Sequence, residues 1–364
     1  MKLLRASHLG MCFGVRDAIA LAQAEAARQP LTILGELVHN ETVLADLRAR
    51  GIRFASQPAA AETDTVMITA HGASEAAKTR ARERGLHVLE ATCPLVHVAH
   101  RAVQMLAREG WHPVIIGKRD HVEVRGLTED LSECDIVLSE ADVAALRERP
   151  RFGIAAQTTQ PIERVRQLVA LIRARFPQSE VRFVDTVCQP TKQRQTAAEE
   201  LARQCDVVVV IGGVHSNNTR ELVATCARHC PRVHHVQSPA DLRAEWFSDA
   251  ETVGLTAGTS TPDTTIDEVE QALSRIATSA DGALECGEFS PLSAGDLSPS
   301  ESRSVRAGRG PNGSRERGGA IESWHHELLD GDKSPAESGD ESPHSKPPLS
   351  HERLHAPTDA SLAA

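Results

Sequence analysis

Residues 207–219 read Val207-Val208-Val209-Val210-Ile211-Gly212-Gly213-Val214-His215-Ser216-Asn217-Asn218-Thr219, and this stretch decides the fold. A strand with one wet face alternates apolar and polar residues, so five apolar residues in a row make a strand buried on both faces. Such strands belong to parallel sheets covered by helices. The same unit, an apolar run followed by a polar turn and a helical pattern, recurs at 31–34, 65–68, 113–116, 152–155 and 252–255. Between the runs the apolar spacing is close to 3.6, as in Leu95, Val98, Ala99, Ala102 and Leu106, or Ile162, Val165, Val169 and Ile172. Pro94 and Pro161 suit helix starts. The fold expected is α/β with mostly parallel sheets.

Working outward, three cysteines stand where an apolar run ends and a helical pattern begins. Cys12 follows Lys2-Leu3-Leu4 and a Gly10-Met11 turn; Cys93 follows His87-Val88-Leu89; Cys188 follows Val181-Arg182-Phe183-Val184. The last two are each preceded by an acid, Glu90 and Asp185, three positions upstream. A thiol at a helix N-terminus faces unpaired N–H groups, which predicts a lowered pKa and a ready thiolate for soft metals. With one such turn in roughly ninety residues, the simplest division is three sequential α/β lobes, 1–93, 94–187 and 188–280, each bringing its cysteine to a common centre. From 281 to 364 the sequence turns to Ser, Pro, Gly, Glu and Arg, a composition that buries too little apolar surface to offset ordering entropy. A disordered tail is expected there, with one apolar island at 321–329 that suits a docking helix less well than a solvated segment.

Composition narrows the function. The chain has 364 residues and a formal charge of −10, which leaves no electrostatic footprint for nucleic acid. No run approaches the ~20 apolar residues of a membrane span, and Met1-Lys2-Leu3-Leu4-Arg5 leads straight into polar sequence, so neither membrane nor signal peptide is expected. Eight cysteines in a cytoplasmic protein suit metal or redox chemistry better than disulfides. Tyr is absent and aromatics are 3%, so the cores must be aliphatic.

Polar groups gather where the strands end, the place open parallel sheets reserve for ligands. His39, His71 and His121 follow three runs, and Gln157-Thr158-Thr159, Ser216-Asn217-Asn218-Thr219 and Gly258-Thr259-Ser260 follow three others. Imidazoles, hydroxyls, amides and backbone N–H groups make an anion pocket suited to diphosphate. Glu123 is the carboxylate among them and a plausible proton donor to a bound hydroxyl.

In order along the chain, Gly10-Met11-Cys12-Phe13-Gly14-Val15, Val38-His39-Asn40, Ala70-His71-Gly72, Ala91-Thr92-Cys93-Pro94-Leu95-Val96, His121-Val122-Glu123-Val124, Gln157-Thr158-Thr159, Cys188 with Arg194-Gln195, Ser216-Asn217-Asn218-Thr219 and Ala257-Gly258-Thr259-Ser260 resemble the motif set of the 4-hydroxy-3-methylbut-2-enyl diphosphate reductase (LytB-type) family. Nine motifs in register across residues 1–280 are specific where any one is weak. The resemblance implies three lobes around a central four-iron four-sulfur cluster, one per chain, held by Cys12, Cys93 and Cys188, with one iron left without a protein ligand. It implies reductive dehydroxylation of the allylic diphosphate to isopentenyl and dimethylallyl diphosphates, the last step of the methylerythritol phosphate route to isoprenoids. His39, His71, His121, Ser216, Asn217, Asn218 and Ser260 would bind the substrate, Thr158 its hydroxyl, and Glu123 would be catalytic. Departures from the family's usual pattern are Met11 for Phe, Val122 for Pro, Lys118 for His, Leu127 for Thr and Asn217 for Ser. None removes a cysteine or Glu123.

Other readings compete. Cys134, Cys205 and Cys286 suit inert core positions. Cys226 and Cys230 with His229, His234 and His235 mimic a zinc site but lack a second matched pair, and Cys93 with His97 and His100 mimics another. The whole chain could be a non-catalytic iron–sulfur sensor or carrier, or a zinc-dependent hydrolase of a phosphorylated substrate. No strand leads into a G-x-G-x-x-G turn, so electrons are expected from an external protein such as a ferredoxin or flavodoxin.

Overall fold

Each of the apolar runs becomes a parallel strand in the computed structural model, which describes residues 1–282. The expected low-complexity tail, its island at 321–329 and Cys286 lie outside the described residues. The strands are β1 (Lys2–Arg5), β2 (Leu31–Leu34), β3 (Arg53–Ala55), β4 (Thr65–Ile68), β5 (His87–Glu90), β6 (His112–Ile116), β7 (Asp135–Val137), β8 (Arg151–Ala156), β9 (Glu180–Phe183), β10 (Val207–Ile211), β11 (Val233–Val236) and β12 (Thr252–Ala257). They form three four-stranded sheets in the orders β3-β2-β4-β5, β7-β6-β8-β9 and β11-β10-β12-β1, and every pairing is parallel. All five residues of β10 are fully buried; each valine so buried contributes about 1.5–3 kcal/mol.

The helices are α1 (Phe13–Ala26), α2 (Glu41–Ala49), α3 (Glu75–Glu83), α4 (Pro94–Arg108), α5 (Val122–Thr128), α6 (Glu140–Ala145), α7 (Ile162–Arg175), α8 (Gln189–Ala202), α9 (Asn217–Ala227) and α10 (Asp263–Gly282). On α4 the residues Val96, Ala99, Ala102, Val103 and Leu106 are buried, the stripe that the 3.6 spacing predicts.

The three sheets share one plan. In each, the first strand of the unit lies inside, the second outside it, and the third and fourth on the other flank. The third sheet takes its fourth strand from the start of the chain: β1 pairs with β12, Lys2 opposite Thr252 through Arg5 opposite Leu255. The lobes are therefore sequential in the chain except for β1, which leaves the residues that follow it and closes the sheet of the last lobe.

Candidate active site

That shared plan places the polar groups. The loop and helix start after the first strand of each sheet carry His39, then His121 with Glu123, then Ser216 with Asn218. The loop after the third strand carries His71, Thr158 and Ser260. The fourth strands, β5, β9 and β1, lead to Cys93, Cys188 and Cys12. First and third strands are neighbours whose crossovers depart to opposite sides, which opens a crevice at each sheet's carboxyl end.

Each cysteine is anchored in the same way. The N–H of Cys93 donates to Ala70 O at 3.0 Å, that of Cys188 to Thr158 O at 3.0 Å, and that of Cys12 to Thr259 O at 3.1 Å. All three acceptors sit in the loop after a third strand. Each cysteine is the N-cap of the helix it precedes, with extended backbone and no cap bond from its side chain. At Cys188 the sulfur meets the Thr191 hydroxyl at 3.1 Å. All seven cysteines among the described residues are free thiols.

The three thiols share one electrostatic neighbourhood, since Cys93 and Cys188 both feel the charges of Cys12 and Glu123. Gly14 shows how closely α1 approaches: a Cβ there would stand 2.4 Å from Cys93 Sγ, so only glycine leaves room for the sulfur. The lowered thiol pKa expected from the helix N-termini is overturned at Cys93 and Cys188. Burial pushes Cys93 up to about 11 and Cys188 to about 12, against the smaller opposing pull of backbone N–H groups. A metal would displace the protons from these thiols on binding.

Beside them the rings of His39 and His71 stack at 4.5 Å, and His121 meets both edge-on at 5.3 and 5.4 Å. Their ligating nitrogens lie within 4.8 Å of one another, the one such grouping of His, Cys, Asp and Glu among the described residues.

His121 Nδ1 accepts from the Glu123 N–H at 3.2 Å, which places the proton of the neutral ring on Nε2. Burial, then the positive charge of His39, Lys118 and Arg220, pushes His121 down to about 3. Burial and its two histidine neighbours likewise hold His71 well below the ordinary imidazole range. His71 Nδ1 is buried without a partner. His39 Nδ1 is 2.8 Å from Glu36 Oε2.

Glu123 is 1% exposed. Its Oε1 accepts from the Thr158 N–H at 2.7 Å, and the Thr158 hydroxyl bonds it as well. Burial nevertheless pushes the carboxyl up to about 7. Thr158 thus joins the carboxylate to the Cys188 turn.

The third lobe closes on the first. A Cβ on Gly213 would lie 2.3 Å from His39 O, a backbone contact that only glycine allows, and Ser260 Oγ donates to the same carbonyl at 3.3 Å. Ser216 Oγ accepts from Thr219 N–H at 3.3 Å, leaving its hydroxyl proton free. Asn218 Oδ1 accepts from Thr259 N–H at 3.0 Å, while its Nδ2 is buried without a partner. Two orphaned polar atoms, His71 Nδ1 and Asn218 Nδ2, are what an anion site leaves when protein alone lines it. Asn217 does something else: its Nδ2 donates to Thr159 Oγ1 at 3.2 Å and ties the second lobe to the third. Neither Thr158 nor Ser260 caps a helix, as α7 begins at Ile162 and α10 at Asp263.

The mimics disperse. Cys226 and Cys230 sit in the apolar core, His229 faces Glu199, His234 stacks on Trp246 at 3.9 Å and His235 bonds Gly212 O. His97 pairs with Glu90. Sequence reasoning missed Glu36 and Arg220. The three-residue interval from Glu36 to His39 was the available signal for the first; Arg220 gave none.

The LytB protein family model matches residues 3–274. The 4-hydroxy-3-methylbut-2-enyl diphosphate reductase of Trichlorobacter lovleyi is 36% identical over 278 residues, 76% of this chain and 99% of that protein. Its counterpart in Aquifex aeolicus is 35% identical over 75% and 96%. A solved structure of (E)-4-hydroxy-3-methyl-but-2-enyl diphosphate reductase, the terminal enzyme of the non-mevalonate pathway, aligns with TM-score 0.56 at 34% identity over 76% of this chain and all of that one. The reductase structure from Plasmodium falciparum aligns with TM-score 0.70 at 27% identity over 75% and 87%. A match that runs through all three sheets and spans nearly the full length of its relatives leaves one conclusion, that the chain belongs to the LytB protein family.

Proposed function

We propose that the chain reductively dehydroxylates (E)-4-hydroxy-3-methylbut-2-enyl diphosphate, giving isopentenyl and dimethylallyl diphosphates. The observation that carries the reading is the meeting of the three anchored, half-buried cysteines with a buried carboxyl and a ring of anion-binding groups at the ends of three equivalent sheets. Two electrons and two protons enter, the allylic C–O bond breaks, a C–H bond forms at one end or the other of the allyl unit, and water leaves.

Cys12, Cys93 and Cys188 would hold a four-iron four-sulfur cluster with one iron free of protein ligands. Such a cluster supplies, when bound, a Lewis acid for the hydroxyl oxygen and a conduit for electrons. The chain's own residues do the rest. His39, His71, Ser216, Asn218 and Ser260 hold the diphosphate, and Asn217 braces Thr159 beside them. His121 lines the pocket, its Nε2–H available as a donor. The Thr158 hydroxyl orients the substrate hydroxyl, and Glu123, whose carboxyl is near half-protonated at neutral pH, passes it a proton so that it departs as water. Electrons would come from a separate protein of the ferredoxin or flavodoxin kind. No helix among the described residues is long and apolar enough to cross a membrane, and the free thiols suit the cytoplasm.

Anaerobic reconstitution, iron and sulfide analysis and turnover of the allylic diphosphate test the reading together. Iron, sulfide and turnover are expected. One zinc per chain without sulfide would favour a hydrolase built on the histidine trio; a cluster without turnover would favour a sensor or carrier.

The histidines give an independent prediction. Burial and neighbouring positive charge disfavour the charged forms of His71 and His121; a bound diphosphate opposes that balance. Diphosphate binding should therefore take up protons, and affinity should rise as pH falls from 8 to about 6. Calorimetry in buffers of different ionisation enthalpy reads the uptake directly, and His71→Asn should reduce it. No difference between that variant and the parent would remove His71 from the diphosphate site.

A further inference from the structure

Arg194 lies on α8, one turn beyond Thr191, whose Oγ1 is 3.1 Å from Cys188 Sγ. Its side chain is buried at 7% exposure and crosses from the third lobe to the first turn of the chain. Nε and Nη2 both donate to Gly10 O, at 3.0 and 2.7 Å, and Nη1 donates to Pro190 O at 3.0 Å. Gly10 is two residues before Cys12, and Pro190 two residues after Cys188. One guanidinium thus holds both turns by their backbones.

Its charge is unusual in lacking a carboxylate. Among the described residues no acid pairs with Arg194, whereas neighbouring Arg16 has Asp263 at 2.8 Å. A guanidinium stays protonated at any working pH, and a buried charge without a counter-charge is costly. Burial disfavours its charged form, and Cys12 and Cys188, once ionised as metal ligands must be, would favour it.

We propose that Arg194 is the counter-charge of the cysteine centre, a positioning residue that clamps the Cys12 and Cys188 turns together and raises the reduction potential of the cluster between them. The proposal rests on the iron–sulfur reading given above. A fixed positive charge stabilises the reduced, more negative state of a neighbouring redox group, so its removal should lower the potential.

The test compares reconstituted parent, Arg194→Lys and Arg194→Gln in an anaerobic redox titration followed by visible absorbance, with iron and sulfide measured on each. A parent that takes up no cluster sinks the iron–sulfur reading itself, before Arg194 is considered. Given a loaded parent, Arg194→Lys should keep a potential close to it, and Arg194→Gln should shift the reduction equilibrium toward the oxidised form about tenfold, about 59 mV for one electron. Loading of Arg194→Lys with failure of Arg194→Gln also supports the proposal, since charge alone separates the two. Loaded Arg194→Gln at the parent potential overturns it. Failure of both variants to load overturns it too, reducing Arg194 to a structural tie.

Discussion

Glu123→Gln is expected to lower turnover of the allylic diphosphate by about 10²–10⁴-fold, the usual range for loss of a positioned proton donor, with iron and sulfide contents unchanged. The substitution is nearly isosteric, and an amide oxygen can still accept from the Thr158 N–H. What it removes is the proton. The parent's turnover should decline as pH rises above about 7, where the carboxyl ionises, and the variant's residual rate should lose that limb. Stability follows the same titration. The folded carboxyl titrates at about 7 against 4.5 for the free group, so its favourable contribution is complete below 4.5 and is lost as pH rises through 7. Melting temperatures of apo-protein should show the parent losing ground to Glu123→Gln between pH 5 and about 8. Unchanged turnover in the variant would reassign the proton to another source, the substrate's own diphosphate first among them.

Serine at Cys12, Cys93 or Cys188 is expected to abolish activity in each case, together with the absorbance near 400 nm that thiolate-ligated iron–sulfur centres show, about where such clusters absorb. The three losses should be alike because the anchors are alike: each cysteine hangs by its N–H from the loop after a third strand and caps a helix without using its sulfur. Serine keeps that backbone geometry but offers a hard oxygen in place of a soft sulfur. Cys134→Ser is the control, since the charges acting on Cys134 are Asp135, Arg119 and Glu133 and not the other thiols, and it should keep iron, sulfide and rate. One of the three serine variants retaining all three would break the proposed ligand set.

The long buried strands were legible because their burial is written in unbroken apolar runs, Val207 to Ile211 above all. The edge strands β3, β7 and β11 were not. They are three or four residues long, one of them carries His234 and His235, and half-exposed strands of that length have no periodicity to read. The partner of β1 was illegible for another reason: Lys2 meets Thr252 across nearly the whole described chain, and local sequence says nothing about pairing at that range. At the site, residue types at strand ends disclosed His39, His71, His121, Glu123 and the cysteines. Their electrostatics needed the structure. Helix N-termini predicted acidic thiols, but desolvation outweighs them at Cys93 and Cys188. The acids upstream of those cysteines turned out to serve lysines, Glu90 pairing with Lys78 and Asp185 with Lys192, both at 2.8 Å.

The pairing of β1 with β12 bears on how the molecule is made. A ribosome makes Lys2 to Arg5 about 250 residues before the strand that supplies their hydrogen-bonding edge, residues 252 to 255, so that segment waits unpaired until they emerge. Contacts so remote in sequence form late and slowly. Cys12, which hangs from Thr259, is accordingly the first of the three cysteines to be made and the last to be seated. A centre held by all three cysteines, as proposed above, would be completed only once residues 252 to 259 are in place.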